Sequence, residues 1–583
     1  MKRLLRYLKD YKLESVLGPL FKMLEASFEL LVPLVMARMI DVGIRNRDMA
    51  YIMKMGGVLL LLAAVGLTCS LTAQYFAAKA AVGFSTALRN DLFRHINHLS
   101  YSEQDTIGTA TLITRMTSDV NQVQSGVNLT LRLLLRSPFI VFGAMIMAFT
   151  VNAKAAMVFA AAIPALSLVV FGIMAVSMPL YKKVQRQLDA VTRATRENLT
   201  GVRVVRAFNR QKSEMETFRE SNDLLVKFQV FVGKISALMN PVTYVIINLA
   251  IAAVIWISGK QVDAGIITQG ETVALVNYMS QILVELIKLA NLIVSISKAL
   301  ACANRISLVL EEESSIQDSP AENQDPVPSR EGRQGRAFKV QFHHVSFAYK
   351  NAKADSLTDI DLKVEKGQTI GIISGTGSGK STLVNLIPRF YDVREGAVLV
   401  DGRDVRQYGL SQLRDKIGVV PQKAVLFKGT LRDNMKWGRP DASDEEIYRA
   451  LDMAQAREFV DGKGKGLELY IEQNGRNLSG GQKQRLTIAR ALVRNPEILI
   501  MDDSASALDF ATDAALRKAI QEGTRDMTVF IVSQRATTIR NADQILVLDD
   551  GAAAGLGTHR ELLETCQVYR EICLSQLSEK EVQ

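Results

Sequence analysis

Cysteine is scarce in this chain: Cys69, Cys302, Cys566 and Cys573 are scattered through 583 residues. That excludes a disulfide framework and fits a reducing, cytoplasmic side. No Cys/His spacing of the zinc type occurs, and the basic residues form no patch interleaved with aromatics, so the net charge of +10 does not point to nucleic acid. The first residues, MKRLLRYLKDYKLE, are basic and amphipathic without a cleavage site. They read as a helix entering at a membrane interface and not as a signal peptide.

Apolar residues, by contrast, are plentiful. They make up 48% of the chain, with mean hydropathy +0.11, yet 22% of residues are charged. Such a mixture predicts a membrane domain joined to a soluble one. Spans of about twenty residues, enough to cross roughly 30 Å of hydrocarbon, are predicted near 15–40, 54–78, 128–151, 155–178, 235–258 and 272–297. The long connections, 79–127 and 179–234, carry Arg89, Arg94, Lys182, Lys183, Arg186, Arg203, Arg206 and Arg210. The positive-inside rule therefore puts them and both termini in the cytoplasm. Apolar residues at helical spacing in these connections (Leu88, Leu92, Ile96) predict that the spans continue as helices well beyond the bilayer, ending in short turns near 102–108 and 209–216.

Charge inside the spans is rare and informative. Lys22, Glu25 and Glu29 fall in the first, Glu285 and Lys288 in the sixth. Charged groups at that depth face a bundle interior or a watery cavity. Glu25 and Glu29, spaced i, i+4, share a helix face that would attract a cationic substrate, unless Lys22 or another helix pairs with them. Glu285 is the third candidate for such a cavity. Pro33, Pro138, Pro164, Pro179 and Pro241 are candidate kinks.

Residues 311–336, rich in Pro, Ser and charge, predict a linker. The expected domains are thus a membrane domain over 1–310 and a soluble domain over 337–583. In the latter, β-rich runs at 338–342, 369–373, 397–400, 417–420, 498–501, 529–532 and 544–548 alternate with helical stretches, which predicts an α/β domain with a largely parallel sheet and an antiparallel portion at its start.

Residues 372–383 (IISGTGSGKSTL) have the strand, loop and helix pattern of a P-loop. Ser374, Gly375, Thr376, Gly377, Ser378 and Gly379 would surround phosphates with backbone N–H groups. Lys380 would neutralise them, Ser381 would offer a hydroxyl to Mg²⁺, and Thr382 follows. The strict pattern places Gly at position 374, and Ser tolerates positive φ less well. Downstream, the apolar run 498–501 ends in Asp502, placed to hold Mg²⁺ through water. Between them lies Leu478, Ser479, Gly480, Gly481, Gln482, whose Gly pair before a helical stretch makes a second phosphate-binding device. One nucleotide cannot easily fill both. Two chains packed head to tail, each P-loop facing the other chain's LSGGQ, solve the problem.

With that signature the sequence resembles the ATP-binding cassette exporters over essentially its whole length. The resemblance implies a type I ABC exporter (type IV transporter fold): an all-α six-helix transmembrane domain followed by an α/β P-loop nucleotide-binding domain. By the same resemblance Tyr349 stacks on adenine, and Gln422 reaches Mg²⁺ and the coupling turns. Ser506, Ala507, Leu508 and Asp509 form the D-loop, and 201–208 lead to the second coupling turn. The cofactors implied are ATP and Mg²⁺. Two positions depart from the family pattern. Its catalytic Glu is Asp503 here, about an ångström short of the attacking water, and its switch His is Gln534, which cannot carry positive charge. Together with an intact LSGGQ, these resemble the degenerate-site subunit of bacterial heterodimeric multidrug exporters. The expectation is a half-transporter in the plasma (inner) membrane that exports hydrophobic small molecules with a partner subunit bearing the consensus Glu and His.

Overall fold

Long apolar runs and strong helix formers leave the first part of the chain little choice but helix, since backbone groups in hydrocarbon must bond within their own segment. The computed structural model describes residues 4–318, 338–350, 352–375, 377–504, 507–524 and 526–577. Most of the predicted linker, with Thr376 and Ser506, lies outside them. The chain divides into two compact units, one of Met1–Asn97 and Thr109–Glu312, the other of His98–Gly108 and Glu313–Gln583.

Among the described residues the first unit contains six long helical runs: α1 (Lys12–Arg38), α2 (Met49–His98), α3 (Thr109–Val151), α4 (Ala153–Thr200), α5 (Gln211–Asp263) and α6 (Gln269–Glu311). Five of them, α2 to α6, are long and apolar enough by composition to cross a membrane. In α1 the apolar stretch is interrupted by Lys22, Glu25 and Glu29. Helix α2 runs 50 residues, about 75 Å at 1.5 Å per residue, so it extends far past a bilayer as the sequence predicts. Small residues let helices approach closely: Gly18 of α1 lies against the backbone of Ala73 and Ala77 of α2. The core includes Phe159, Leu166, Ile247, Met279 and Ile282, and the Tyr278 hydroxyl donates to the Leu30 carbonyl across α1 and α6 (2.7 Å).

Two of the five prolines interrupt their helices. Ahead of Pro138 the helix turns at Leu134 and Leu135, and ahead of Pro241 it breaks at Leu238, because a prolyl ring removes a donor and crowds the carbonyl four residues back. Pro33, Pro164 and Pro179 sit in continuous helix. At the end of α1, Asp41 accepts from the backbone N–H of Gly270 (2.8 Å) and from the Thr268 hydroxyl, so one carboxylate caps α6 and ties the first connection to the fifth.

Among the described residues the second unit has twelve strands: β1 (Phe338–Phe347), β2 (Leu357–Glu365), β3 (Thr369–Ser374), β4 (Glu395–Val400), β5 (Arg403–Asp404), β6 (Ile417–Val420), β7 (Gly429–Thr430), β8 (Tyr470–Ile471), β9 (Ile498–Asp502), β10 (Thr528–Ser533), β11 (Gln544–Asp549) and β12 (Ala552–Gly557). The main sheet has the order β12-β11-β3-β10-β9-β6, and β11, β3, β10, β9 and β6 run parallel. A second sheet, β2-β1-β4-β5, is antiparallel. Strand β12 pairs antiparallel with β11 through a tight turn at Asp550 (φ 44°) and Gly551 (φ 83°), the left-handed pair that favours hairpins. The short helix Tyr101–Ile107, from the connection between α2 and α3, belongs to this unit. Tyr101 packs on Phe390 (ring centroids 4.7 Å), and Asp105 accepts from the Tyr391 hydroxyl (2.8 Å).

Candidate nucleotide site and membrane cavity

Parallel strands deliver their carboxyl ends to one edge of a sheet, where loops gather into a site. Here β3, β10 and β9 are neighbours, with Val532 beside Asp502 and Ser533 beside Ile373. The P-loop, the segment carrying Gln534, and Asp502 therefore share one edge. Ser374 closes β3 in register with Leu548 and is not among the residues of positive φ. The left-handed conformations fall instead on Gly377 (φ 88°) and Gly379 (φ 90°), so serine at 374 imposes no strain. At Gly379 a Cβ would come within 2.6 Å of the Ser356 carbonyl, which makes glycine obligatory there.

Lys380 opens the helix Lys380–Leu386, and its ammonium donates to the Gly375 carbonyl (2.7 Å), the Ser374 hydroxyl (2.8 Å) and the Ser374 carbonyl (3.2 Å). Ser378 donates to the Ser374 hydroxyl and to Gly375 (2.8 Å). The Ser381 hydroxyl donates to the Asp502 carboxylate (2.9 Å). Burial lowers the pKa of Lys380, against the pull of Asp503 and Asp502. Burial raises that of Asp502, opposed by the Ser381 bond and reinforced by Asp503. A hydroxyl and a carboxylate in contact are the hard oxygen donors that Mg²⁺ takes, and a glycine loop with a lysine suits phosphates. The residues present fit Mg·ATP.

Asp503 stands at φ 45°, its N–H bonded to the Val532 carbonyl (2.9 Å), and its carboxylate accepts from Gln422 (3.4 Å). The structure thus brings Gln422 to the acidic pair. The Tyr349 hydroxyl pairs with that of Thr382 (2.9 Å), and its ring meets Tyr391 edge-on at 5.3 Å. Through Tyr391, Tyr349 is connected to the short helix Tyr101–Ile107. Burial and the bond to Asp105 both raise the Tyr391 pKa.

Gln534 is exposed, and its carbonyl accepts from the side chain of Gln576 (2.7 Å), which also takes the Ala536 N–H (2.9 Å). The carboxy-terminal helix Gln567–Gln576 therefore brackets the switch segment. Sequence reasoning missed Gln576, because nothing local distinguishes a glutamine ending a polar helix. Ser479 caps the helix Gly480–Val493 and exchanges bonds with Gln482 in a capping box, leaving the N–H groups of Gly480 and Gly481 at the helix start. Leu478 is buried. Ala507 and Leu508 lie against Gly481, and Asp509 caps the helix Phe510–Gly523.

In the membrane unit, Arg136 of α3 bridges Glu29 of α1 (2.7 Å) and Glu285 of α6 (2.7 Å). Lys288 and Ser137 also donate to Glu285 (2.8 and 2.9 Å). Glu285, with its side chain 3% exposed, is held by these donors and lines a cavity of about 310 Å³ with Glu29 and Lys288. Arg136, although inside the predicted span 128–151, went unnoticed in sequence because its partners Glu29 and Glu285 are distant in the chain. Glu25 accepts from Lys22, which also bonds Ser70 (3.0 Å). Glu25 and Glu29 do share a face, lining a cavity of about 520 Å³ with Ser70. Their charges, however, are matched by Lys22 and Arg136, which offsets the expected attraction for a cation.

Residues 15–286 match the ABC transporter transmembrane region family, and residues 357–506 the ABC transporter family. An uncharacterized ABC transporter ATP-binding protein of Mycobacterium tuberculosis is 36% identical, over 98% of this chain and 97% of the relative. An ATP-dependent lipid A-core flippase of Chromohalobacter salexigens is 32% identical, over 100% of this chain and 98% of the flippase. Among solved structures, a bacterial Atm1-family ABC exporter with ATP bound is similar with a TM-score of 0.79 at 24% identity, over 97% of this chain and 98% of that one. The fold is that of such exporters, a helical membrane domain followed by an α/β nucleotide-binding domain.

Proposed function

We propose, from the premise that the chain belongs to the ABC transporter family, that it is the degenerate-site half of a heterodimeric ATP-driven exporter of hydrophobic or amphipathic compounds. On this reading residues 1–310 form the transmembrane domain, 311–336 the linker and 337–583 the nucleotide-binding domain. The protein lies in the plasma (inner) membrane with both termini cytoplasmic. Its own site binds ATP and hydrolyses it slowly, while Leu478, Ser479, Gly480, Gly481 and Gln482 complete a competent site on the P-loop of a partner that bears the Glu and His missing here.

The observation that carries this reading is the pair Asp503 and Gln534 at one sheet edge. A base acts within roughly 2.6–3.2 Å of its proton, and Asp503 is one methylene shorter than Glu. Phosphoryl transfer is helped chiefly by charge neutralisation and positioning. Lys380 supplies the first, and Ser381 and Asp502 would hold Mg²⁺, which spreads the charge of the phosphates. Binding therefore survives where base catalysis fails. Closure of two nucleotide domains would pass through the turns at 102–108 and 209–216 into the membrane helices and turn the cavity outward.

Copurification from the source cell tests the pairing. The expected result is a second ABC half-transporter with consensus Glu and His and an altered signature, and a partner with an intact signature and a degenerate base would count against it. A symmetric homodimer exporting lipid is the second reading, favoured by the likeness to the flippase. It requires that the chain alone hydrolyse ATP and that Lys380→Ala abolish the activity.

A further inference from the structure

The charges in the membrane unit form an open chain of alternating sign. Glu29 pairs with Arg136, Arg136 with Glu285, and Glu285 with Lys288. The two middle groups are buried, with side chains 8% and 3% exposed, but the ends are not: Glu29 is 39% and Lys288 44% exposed. Each end charge has one opposite partner and yet stays partly exposed, so a second opposite charge can approach it. Here both ends, one negative and one positive, line the same cavity between α1 and α6, together with Asn277, Ser280 and Gln281. Its volume of about 310 Å³ is at the lower end of ligand pockets, roughly 300–1,000 Å³. The Gln281 side-chain oxygen, on the helix carrying Lys288, is buried without a hydrogen-bond partner, a carbonyl dipole whose negative end attracts a cation. Val32, Met36 and Val284 give the remainder of the wall an apolar surface.

We infer that this cavity is the head-group subsite for the exported compound and that it selects an amphiphile with a zwitterionic head, its cation meeting Glu29 and Gln281 and its anion meeting Lys288. The substrate class so named rests on the export reading above. A purely cationic head would satisfy Glu29 and repel Lys288, and a purely anionic head the reverse. A zwitterion gives each end charge a second opposite neighbour and closes the chain into a ring.

Four probes sharing a dodecyl tail test this: dodecylphosphocholine, N-dodecyl-N,N-dimethylglycine, dodecyltrimethylammonium and dodecyl phosphate. Each is titrated against the full chain in non-ionic maltoside micelles and counted by native mass spectrometry. The expected result is that dodecylphosphocholine binds about tenfold or more tighter than either singly charged probe. If the glycine betaine binds equally well, any zwitterion is accepted; if it does not, the class narrows to phospholipid-like heads. Glu29→Gln should bring the dodecylphosphocholine affinity down to that of the anion, and Lys288→Met down to that of the cation. Both substitutions leave the Arg136–Glu285 pair intact. Gln281→Met, which removes the side-chain amide at similar length, should weaken both zwitterions severalfold. Equal affinities for all four probes, or a ranking that none of the substitutions alters, would overturn the inference. Retained selectivity without ATP-driven uptake of a dye into vesicles would instead sink the export reading and leave the subsite standing.

Discussion

Asp502 is buried at the end of β9 with a raised pKa, so the folded state favours its neutral form. The sign follows. Between the unfolded value, about 3.9, and the higher folded value the native state holds the extra proton, stability falls as pH rises, and above both the full cost of the buried charge remains. Asp502→Asn is therefore expected to raise the melting temperature of nucleotide-free protein at pH 7, by about 2–4 °C for each kcal/mol relieved. The gain should vanish below the unfolded pKa. Thermal scans at the two pH values check it, and an equal gain at both would mean that charge burial is not the cause. At Gln576, both ends of the amide are bonded to the backbone of the switch segment. Gln576→Ala should remove about 1–2 kcal/mol of local protection, seen as roughly tenfold faster hydrogen exchange at the Ala536 amide, while the exchange of β9 stays unchanged.

Among elements, the tie between the start of α3 and the end of α6 depends on one carboxylate. The π-helical segment Arg115–Asp119 lets Asp119 face α6, where it accepts from both donors of Arg305 (3.0 and 2.5 Å) while Arg115 bonds it at 2.9 Å. Asp119→Ala leaves two arginines without this anion and should cost about 3 kcal/mol. In detergent this would be measured as a lower melting temperature, together with earlier tryptic cleavage after Arg115 and Arg305. Much of this architecture was legible in the chain, and the exceptions share a cause. The P-loop, Asp502 and LSGGQ are local patterns whose chemistry is fixed by neighbours in sequence. The apolar strand runs ended within a few residues of β3, β6, β9, β10 and β11. Strand β12 was missed because AAAGLG has no strand propensity and is held by its hairpin turn and by β11. The partners of Arg136, Asp119 and Gln576 are distant in sequence, and no periodicity reveals such pairs. Helix α1 was legible as an apolar span near 15–40 although its charges dilute the run.

For the whole molecule, two features pull in different directions: a complete phosphate cradle with an intact signature, and a truncated base beside a switch residue without charge. The proposed heterodimer would reconcile them by dividing the labour, with this chain holding one ATP and completing the site for a second. Lys380→Ala should then abolish ATP binding at this chain's own site, detected by photolabelling with an azido-ATP, with hydrolysis at the partner's site reduced but present. The most direct measurement is steady-state ATP hydrolysis by the purified chain alone, reconstituted in lipid and compared with the Asp503→Glu/Gln534→His double variant. The account predicts slow turnover for the natural chain and an increase of about tenfold or more when the base and the charged switch are restored. Brisk hydrolysis by the natural chain alone, left unchanged by the double substitution, would contradict it.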